Sequence, residues 1–178
     1  MSELVHPILL GSQRRLYEDN GKKTGHRGNV RINWAMDHRC HSVAADSFVG
    51  TWKLNLAKSK YSPGPPPKSL TVTYEANGDG IKTTVEGVNS EGKPISGHYA
   101  ASYDGKDNPV TGEGLPYDTI ALKRINANTV ESTTKKDGKV VVNGKRVLSK
   151  DGKVMTMTGK GINAKGEPTN NVAVYDKQ

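Results

Sequence analysis

The sequence predicts an all-β fold: an antiparallel up-and-down β-barrel of about eight to nine strands, preceded by an irregular N-terminal extension. Three observations carry this. From Phe48 onward, strand-like runs alternate with short turns rich in Gly, Asp and Asn. Several runs put apolar side chains at every second position, the pattern of a strand with one wet face and one dry face. No helical run of about ten or more residues separates them, which argues against an α/β chain.

The runs, in order, are Phe48–Asn55, Ser69–Ala76, Gly80–Val88, Pro94–Ser102, Tyr117–Ile125, Thr129–Lys135, Lys139–Leu148, Lys153–Ile162 and Asn170–Asp176. In the second run Leu70, Val72 and Tyr74 share one face, and Thr71, Thr73 and Glu75 the other. In the third, Ile81, Thr83 and Val85 oppose Lys82, Thr84 and Glu86. In the eighth, Met155 and Met157 oppose threonines at 156 and 158, so a partly polar lumen is open to this strand. The connections include Asn77-Gly78-Asp79, Ser90-Glu91-Gly92, Asp104-Gly105, Asp137-Gly138, Asp151-Gly152 and Lys165-Gly166. Asn-Gly and Asp-Gly supply the positive φ angles that tight hairpins need. Successive hairpins imply a meander, and a meander of this many strands hides its edges best by closing on itself. A two-sheet sandwich with a filled core is the alternative. A closed barrel of this size has room for one small ligand.

Residues 1–47 differ from residues 48–178. They hold four of the five histidines and the single cysteine, Cys40, and they show no regular periodicity. The stretch GKKTGHRGN at Gly21–Asn29 has too little apolar surface to offset its ordering entropy. The expected division is therefore an extension, 1–47, and a barrel domain, 48–178. The first residues lack a secretory pattern, because the arginines follow the short apolar stretch rather than precede it. As written, the chain reads as cytoplasmic.

The composition excludes several classes. With 26 Lys+Arg and 18 Asp+Glu the net charge is +8. Seven basic and five acidic residues fall in 1–47, nineteen and thirteen in 48–178. Most barrel lysines stand singly beside turns, where they keep strand edges from pairing with other chains. Nucleic-acid binding prefers clustered cations interleaved with stacking aromatics, so no specific nucleic-acid partner is expected. One cysteine closes no internal disulfide, and no apolar run is long enough for a transmembrane helix.

The opening strand reads Phe48-Val49-Gly50-Thr51-Trp52-Lys53-Leu54, and the last run reads Val172-Ala173-Val174-Tyr175-Asp176-Lys177. The first resembles the Gly-x-Trp start of the lipocalin and fatty-acid-binding-protein (calycin) superfamily, and the second resembles the last strand of fatty-acid-binding proteins. The stretch 48–178 is also similar to a group of bacterial lipocalin-like proteins, through GTWKLNLAKSKYSPGP, YDGKDNPVTG, ALKRINANTVE and NAKGEPTNNVAVYDKQ. The resemblance implies a barrel whose first and last strands are neighbours, a small apolar or amphipathic ligand, and export from the cytoplasm. It brings no established reaction. Two positions depart from it. Fatty-acid-binding proteins hold a carboxylate with an Arg-x-Tyr pair on the last strand; Tyr175 matches the tyrosine, but Ala173 stands at the arginine position. Arg124, Lys145 and Arg146 are the basic candidates to replace it. The interval Ala57–Lys68, where those proteins carry a two-helix lid, is too rich in proline for helix, so an open or loop-covered mouth is expected.

The leading functional expectation is binding of a small, largely apolar molecule, with an anionic one among the options, in the cavity. Trp52, Tyr74, Arg146 and Tyr175 are the expected lining residues, within a wider set of tyrosines at 61, 99, 103 and 117. The alternative is a small hydrolase acting on acyl esters or lactones, with His98 as base and Asp104 or Asp118 orienting it. A divalent metal could activate water under that reading; otherwise no cofactor is expected. A third reading is a structural or envelope-associated interaction protein. The cluster Asp37-His38-Arg39-Cys40-His41 has metal-ligating side chains but lacks a second cluster at a ligand spacing, so no metal site is assigned to it.

Overall fold

The computed structural model of the chain describes residues 46–163 and 165–178. Residues 1–45 of the expected extension, with the Asp37–His41 cluster, lie outside the described residues. The strands are β1 (Gly50–Leu54), β2 (Ser69–Asn77), β3 (Gly80–Val88), β4 (Pro94–Ser102), β5 (Asp104–Pro109) and β6 (Thr111–Glu113). They continue with β7 (Thr119–Asn126), β8 (Thr129–Lys136), β9 (Lys139–Leu148), β10 (Val154–Ile162) and β11 (Pro168–Lys177). All pair antiparallel in a single sheet of order β5-β7-β8-β9-β10-β11-β1-β2-β3-β4-β6. One continuous sheet that nearly closes on itself, rather than two packed sheets, is the architecture.

The strand count is a correction. There are eleven strands, not eight to nine. The nine expected runs are all strands, and the two additions, β5 and β6, occupy DGKDNPVTGE between β4 and β7. That stretch is rich in Gly, Asp, Asn and Pro, and most of its side chains are exposed. It has no apolar alternation to reveal it, because it packs little against the core. Its backbone pairs instead: β5 with β7, and β6 with β4. The barrel seam thus falls between β4 and β7, and the two short strands line its two sides. β1 and β11 are hydrogen-bonded neighbours, with Leu54 opposite Tyr175.

Hairpin chemistry accounts for the remaining connections. Asp137 (φ 50°) and Gly138 (φ 76°) form the β8–β9 turn, both in the left-handed region that such turns use. Between β1 and β2 the chain makes one 3-10 turn, Leu56–Lys58, capped by the Asn55 side chain. The proline-bearing segment that follows lies along β11. Lys60 and Val172 exchange backbone hydrogen bonds, and Asn170 N–H donates to Ser62 O. No helix among the described residues is long and apolar enough to cross a membrane.

The period-two pattern sets the interior. Trp52, Leu54, Val72, Tyr74, Ile81, Val85, Tyr99, Ile120, Leu122, Val130, Leu148, Met155 and Tyr175 are buried in one core. Gly50 (φ 135°) lets the chain turn into β1, and a side chain there would meet the Lys177 stem. Trp52 is fully buried and its indole N–H donates to Phe48 O at 2.8 Å. Around this end Asp46 accepts from Arg124 Nη2 at 2.5 Å and from the Tyr103 hydroxyl at 2.6 Å. The Arg124 guanidinium lies 3.8 Å from the Tyr103 ring centroid. The barrel therefore uses Asp46, two residues before its expected start, to tie the incoming chain to β7 and to the β4–β5 corner.

Candidate functional site

Arg146 is the unusual group of the interior. It lies on β9, where the alternation that buries Leu148 also turns Arg146 inward, and only 5% of it is exposed. The register places it beside Val130 on β8 and Met157 on β10, and Met157 is opposite Ala173 on β11. A buried guanidinium normally sits against a carboxylate. Among the described residues Arg146 has none. Its Nη2 donates to the Tyr99 hydroxyl at 3.1 Å, and its guanidinium lies 5.5 Å from the centroid of the Tyr74 ring. Its Nε is buried with no hydrogen-bond partner.

A second buried polar atom on the inner face is also unpartnered, Thr83 Oγ1. Thr83 is fully buried on β3, directly between Tyr74 on β2 and Tyr99 on β4. Such atoms cost free energy unless something bonds them.

Tyrosines complete the surroundings. Tyr74, Tyr99 and Tyr175 are buried, and Tyr61 and Tyr117 pack against the core. Burial pushes the Tyr74 phenol up, with Arg146 pulling the other way. Burial raises Tyr117 to about 12 and holds Tyr175 well above the usual tyrosine value. These hydroxyls therefore stay protonated near neutral pH and act as donors, not as bases. For Arg146, burial works against the charge, and the Tyr99 hydroxyl that accepts its hydrogen bond works for it. The interior thus presents one cation and a set of neutral donors.

Of the four expected lining residues, Tyr74, Arg146 and Tyr175 come together. Trp52 is inside as well, but forms the floor with Phe48. Of the three basic candidates, Arg146 points in, Lys145 is exposed on the opposite face of β9, and Arg124 is bound to Asp46 at the floor. Tyr99 belongs to the wider set of tyrosines the sequence offers as lining; Thr83 is not among the expected site residues. The alternation of Tyr99 with His98, and of Thr83 with Lys82 and Thr84, carried the signal for both.

The groups of the hydrolase alternative do not meet. His98 is on the exposed face of β4, and its Nε2 is 2.8 Å from Thr111 Oγ1 on β6. Asp104 accepts from Lys106 N–H at 3.0 Å, a bond that lowers its carboxyl pKa. Asp118 accepts from Asp137 N–H at 2.9 Å and from the Thr119 hydroxyl, and is lowered in the same way. Neither carboxylate has a hydrogen bond to His98 among the described residues. Nor do the described residues contain a group of three His, Cys, Asp or Glu side chains able to hold a metal ion.

A cleft opens on the wall where β1 and β2 diverge beyond the Lys53–Thr71 pair, lined by Leu54, Leu56, Lys68 and Leu70. Searches with the chain find no matching family model and no matching curated protein.

Proposed function

We propose that the barrel binds a small anionic molecule with an apolar body, its charged group held by Arg146. The observation that carries this reading is the buried guanidinium without a described carboxylate, its Nε unpartnered. A desolvated charge left unpaired is costly, and an anionic ligand would supply the missing partner. The phenols of Tyr74, Tyr99 and Tyr175 add donors and flat apolar surface, which suits a ligand with one polar end. Met157 and Tyr61 are half-buried at the edge of the core, and the lysines at 53 and 68 flank the cleft in the wall. Because the interior side chains form one contiguous cluster, a ligand must displace some of them as it enters.

Titration with anilinonaphthalene sulfonate, an apolar anion whose fluorescence rises on burial, tests the reading. The expected result is one saturable site, emptied by apolar anions and untouched by decyltrimethylammonium, an apolar cation. Displacement by the cation as readily as by anions would contradict it.

A further inference from the structure

We infer that the barrel docks peripherally on an anionic lipid surface, through the face made by residues 53–68 and the cleft beside them. The inference does not depend on the Arg146 reading.

Charge is the first argument. Residues 53–68 carry four lysines, at 53, 58, 60 and 68, and no acidic residue. All four are exposed. Among the described residues only Lys58 has an ion pair, with Asp176 Oδ1 at 3.1 Å, and the same carboxylate accepts from Asn55 Nδ2 at 2.7 Å. Glu86 on β3 stands across Thr71 from Lys53 and is not ion-paired with it. Lys53, Lys60 and Lys68 therefore hold charges that no described carboxylate meets.

Placement is the second. Lys53 is the last residue of the β1–β2 ladder, opposite Thr71, and Lys68 immediately precedes β2. The two cations thus come from opposite sides of the gap that opens there. Both line its cleft of about 400 Å³, together with Leu54, Leu56 and Leu70. Asp176, which holds Lys58, lines it too. Leu56, in the 3-10 turn, is 41% exposed. The rest of the segment is tied to β11, where Lys60 and Val172 exchange backbone hydrogen bonds and Ser62 O accepts from Asn170 N–H. The lysines and the leucine therefore share one face that the sheet holds in place.

The partner follows from this mixture. An anionic bilayer presents negative head groups over an apolar layer. It meets the lysines and covers Leu56 at once, with the lysine stems alongside the leucine and their charges among the head groups. An acidic polypeptide would answer the charges and leave the leucine wet. A neutral bilayer would cover the leucine and leave the cations unanswered.

The test is cosedimentation of the full chain with vesicles of phosphatidylcholine, alone or with about one-third phosphatidylglycerol. The chain should partition onto the charged vesicles and not onto the neutral ones. Partition should fall as salt rises from about 50 to about 500 mM. Lys53→Ser, Lys60→Ser and Lys68→Ser combined should weaken it about a hundredfold, at about fivefold for each lysine. Lys139→Ser, Lys150→Ser and Lys153→Ser combined, at exposed positions outside this face, should weaken it less than about fivefold. Leu56→Ser should weaken it several-fold and leave its salt dependence unchanged. Every change is at an exposed position, and circular dichroism reports the fold of each variant. No partition onto the charged vesicles would overturn the inference. Equal losses from the two triple variants would overturn it too, and make net charge the cause. Binding to polyglutamate as tight as to charged vesicles, and indifferent to Leu56→Ser, would make an acidic polypeptide the partner and overturn it as well.

Discussion

Arg146 donates from Nη2 to the Tyr99 hydroxyl at 3.1 Å while its Nε, equally buried, has no acceptor. A guanidinium held this way is a stability cost to the barrel. Arg146→Met keeps the length and apolar stem of the side chain and removes the charge. It should raise the unfolding free energy by about 1–2 kcal/mol, as replacement of buried charged groups by apolar ones often does. Urea denaturation measures this. A loss of stability of that size would mean that the charge is compensated in the ligand-free protein.

Another arginine, Arg124, has the opposite role. Arg124, Asp46 and the Tyr103 hydroxyl form a partly buried trio, with side-chain exposures of 29% for Arg124 and 15% for Asp46. Asp46→Ala should cost about 1–3 kcal/mol, since it leaves a cation and a hydroxyl without their acceptor. In an Arg124→Met background the same change should cost less, and the difference is the coupling. Equal costs in both backgrounds would show that the trio does not act as a unit.

The buried phenols give the barrel an alkaline limit. Burial raises Tyr117 to about 12, and moves Tyr61, Tyr74, Tyr103 and Tyr175 in the same direction. The folded chain therefore holds these protons more tightly than the unfolded chain does. Their contribution to stability is complete below pH about 10 and drains as the pH rises toward and through 12. Phenolate absorbance followed together with far-ultraviolet circular dichroism checks this. A fraction of the seven tyrosines should ionise only as the sheet is lost. Ionisation of Tyr61, Tyr74, Tyr103, Tyr117 and Tyr175 with the sheet intact would contradict the burial described for them.

Two substitutions test the packing that shapes the interior. A Cβ at Gly80 would stand 2.1 Å from Ala101 O and 2.7 Å from Ser102 Cα, so β3 and β4 would have to separate. Gly80→Ala should cost about 1–3 kcal/mol. Trp52→Ala empties the floor of the core and should cost about 3–5 kcal/mol. His98→Ala, on the exposed face, should change neither stability nor dye affinity measurably.

Much of this was legible in the sequence, and the remainder was hidden for physical reasons. The nine core-forming strands announce themselves through alternation and Asp-Gly or Asn-Gly turns. β5 and β6 do not, because strands that bury little side-chain surface need no apolar pattern. The inward direction of Tyr74 follows from Leu70 and Val72 beside it. That of Arg146 does not, because the valines of β9 fall at both parities of the sequence, 140 and 142 at even positions and 141 and 147 at odd ones. The Asp46–Arg124 pair spans 78 residues of sequence and leaves no local trace. The pairing of β1 with β11 was anticipated from the likeness of the chain ends to calycin strands, and not from periodicity.

The central claim is that Arg146 binds the anionic end of a ligand. Calorimetric titration of the full chain with decyl sulfate, for the native protein and for Arg146→Met, tests it most directly. The account expects one site in the native protein and at least about tenfold weaker binding in the variant, a loss of about 1.4 kcal/mol, with the fold intact by circular dichroism. Equal affinity in the two proteins would contradict it.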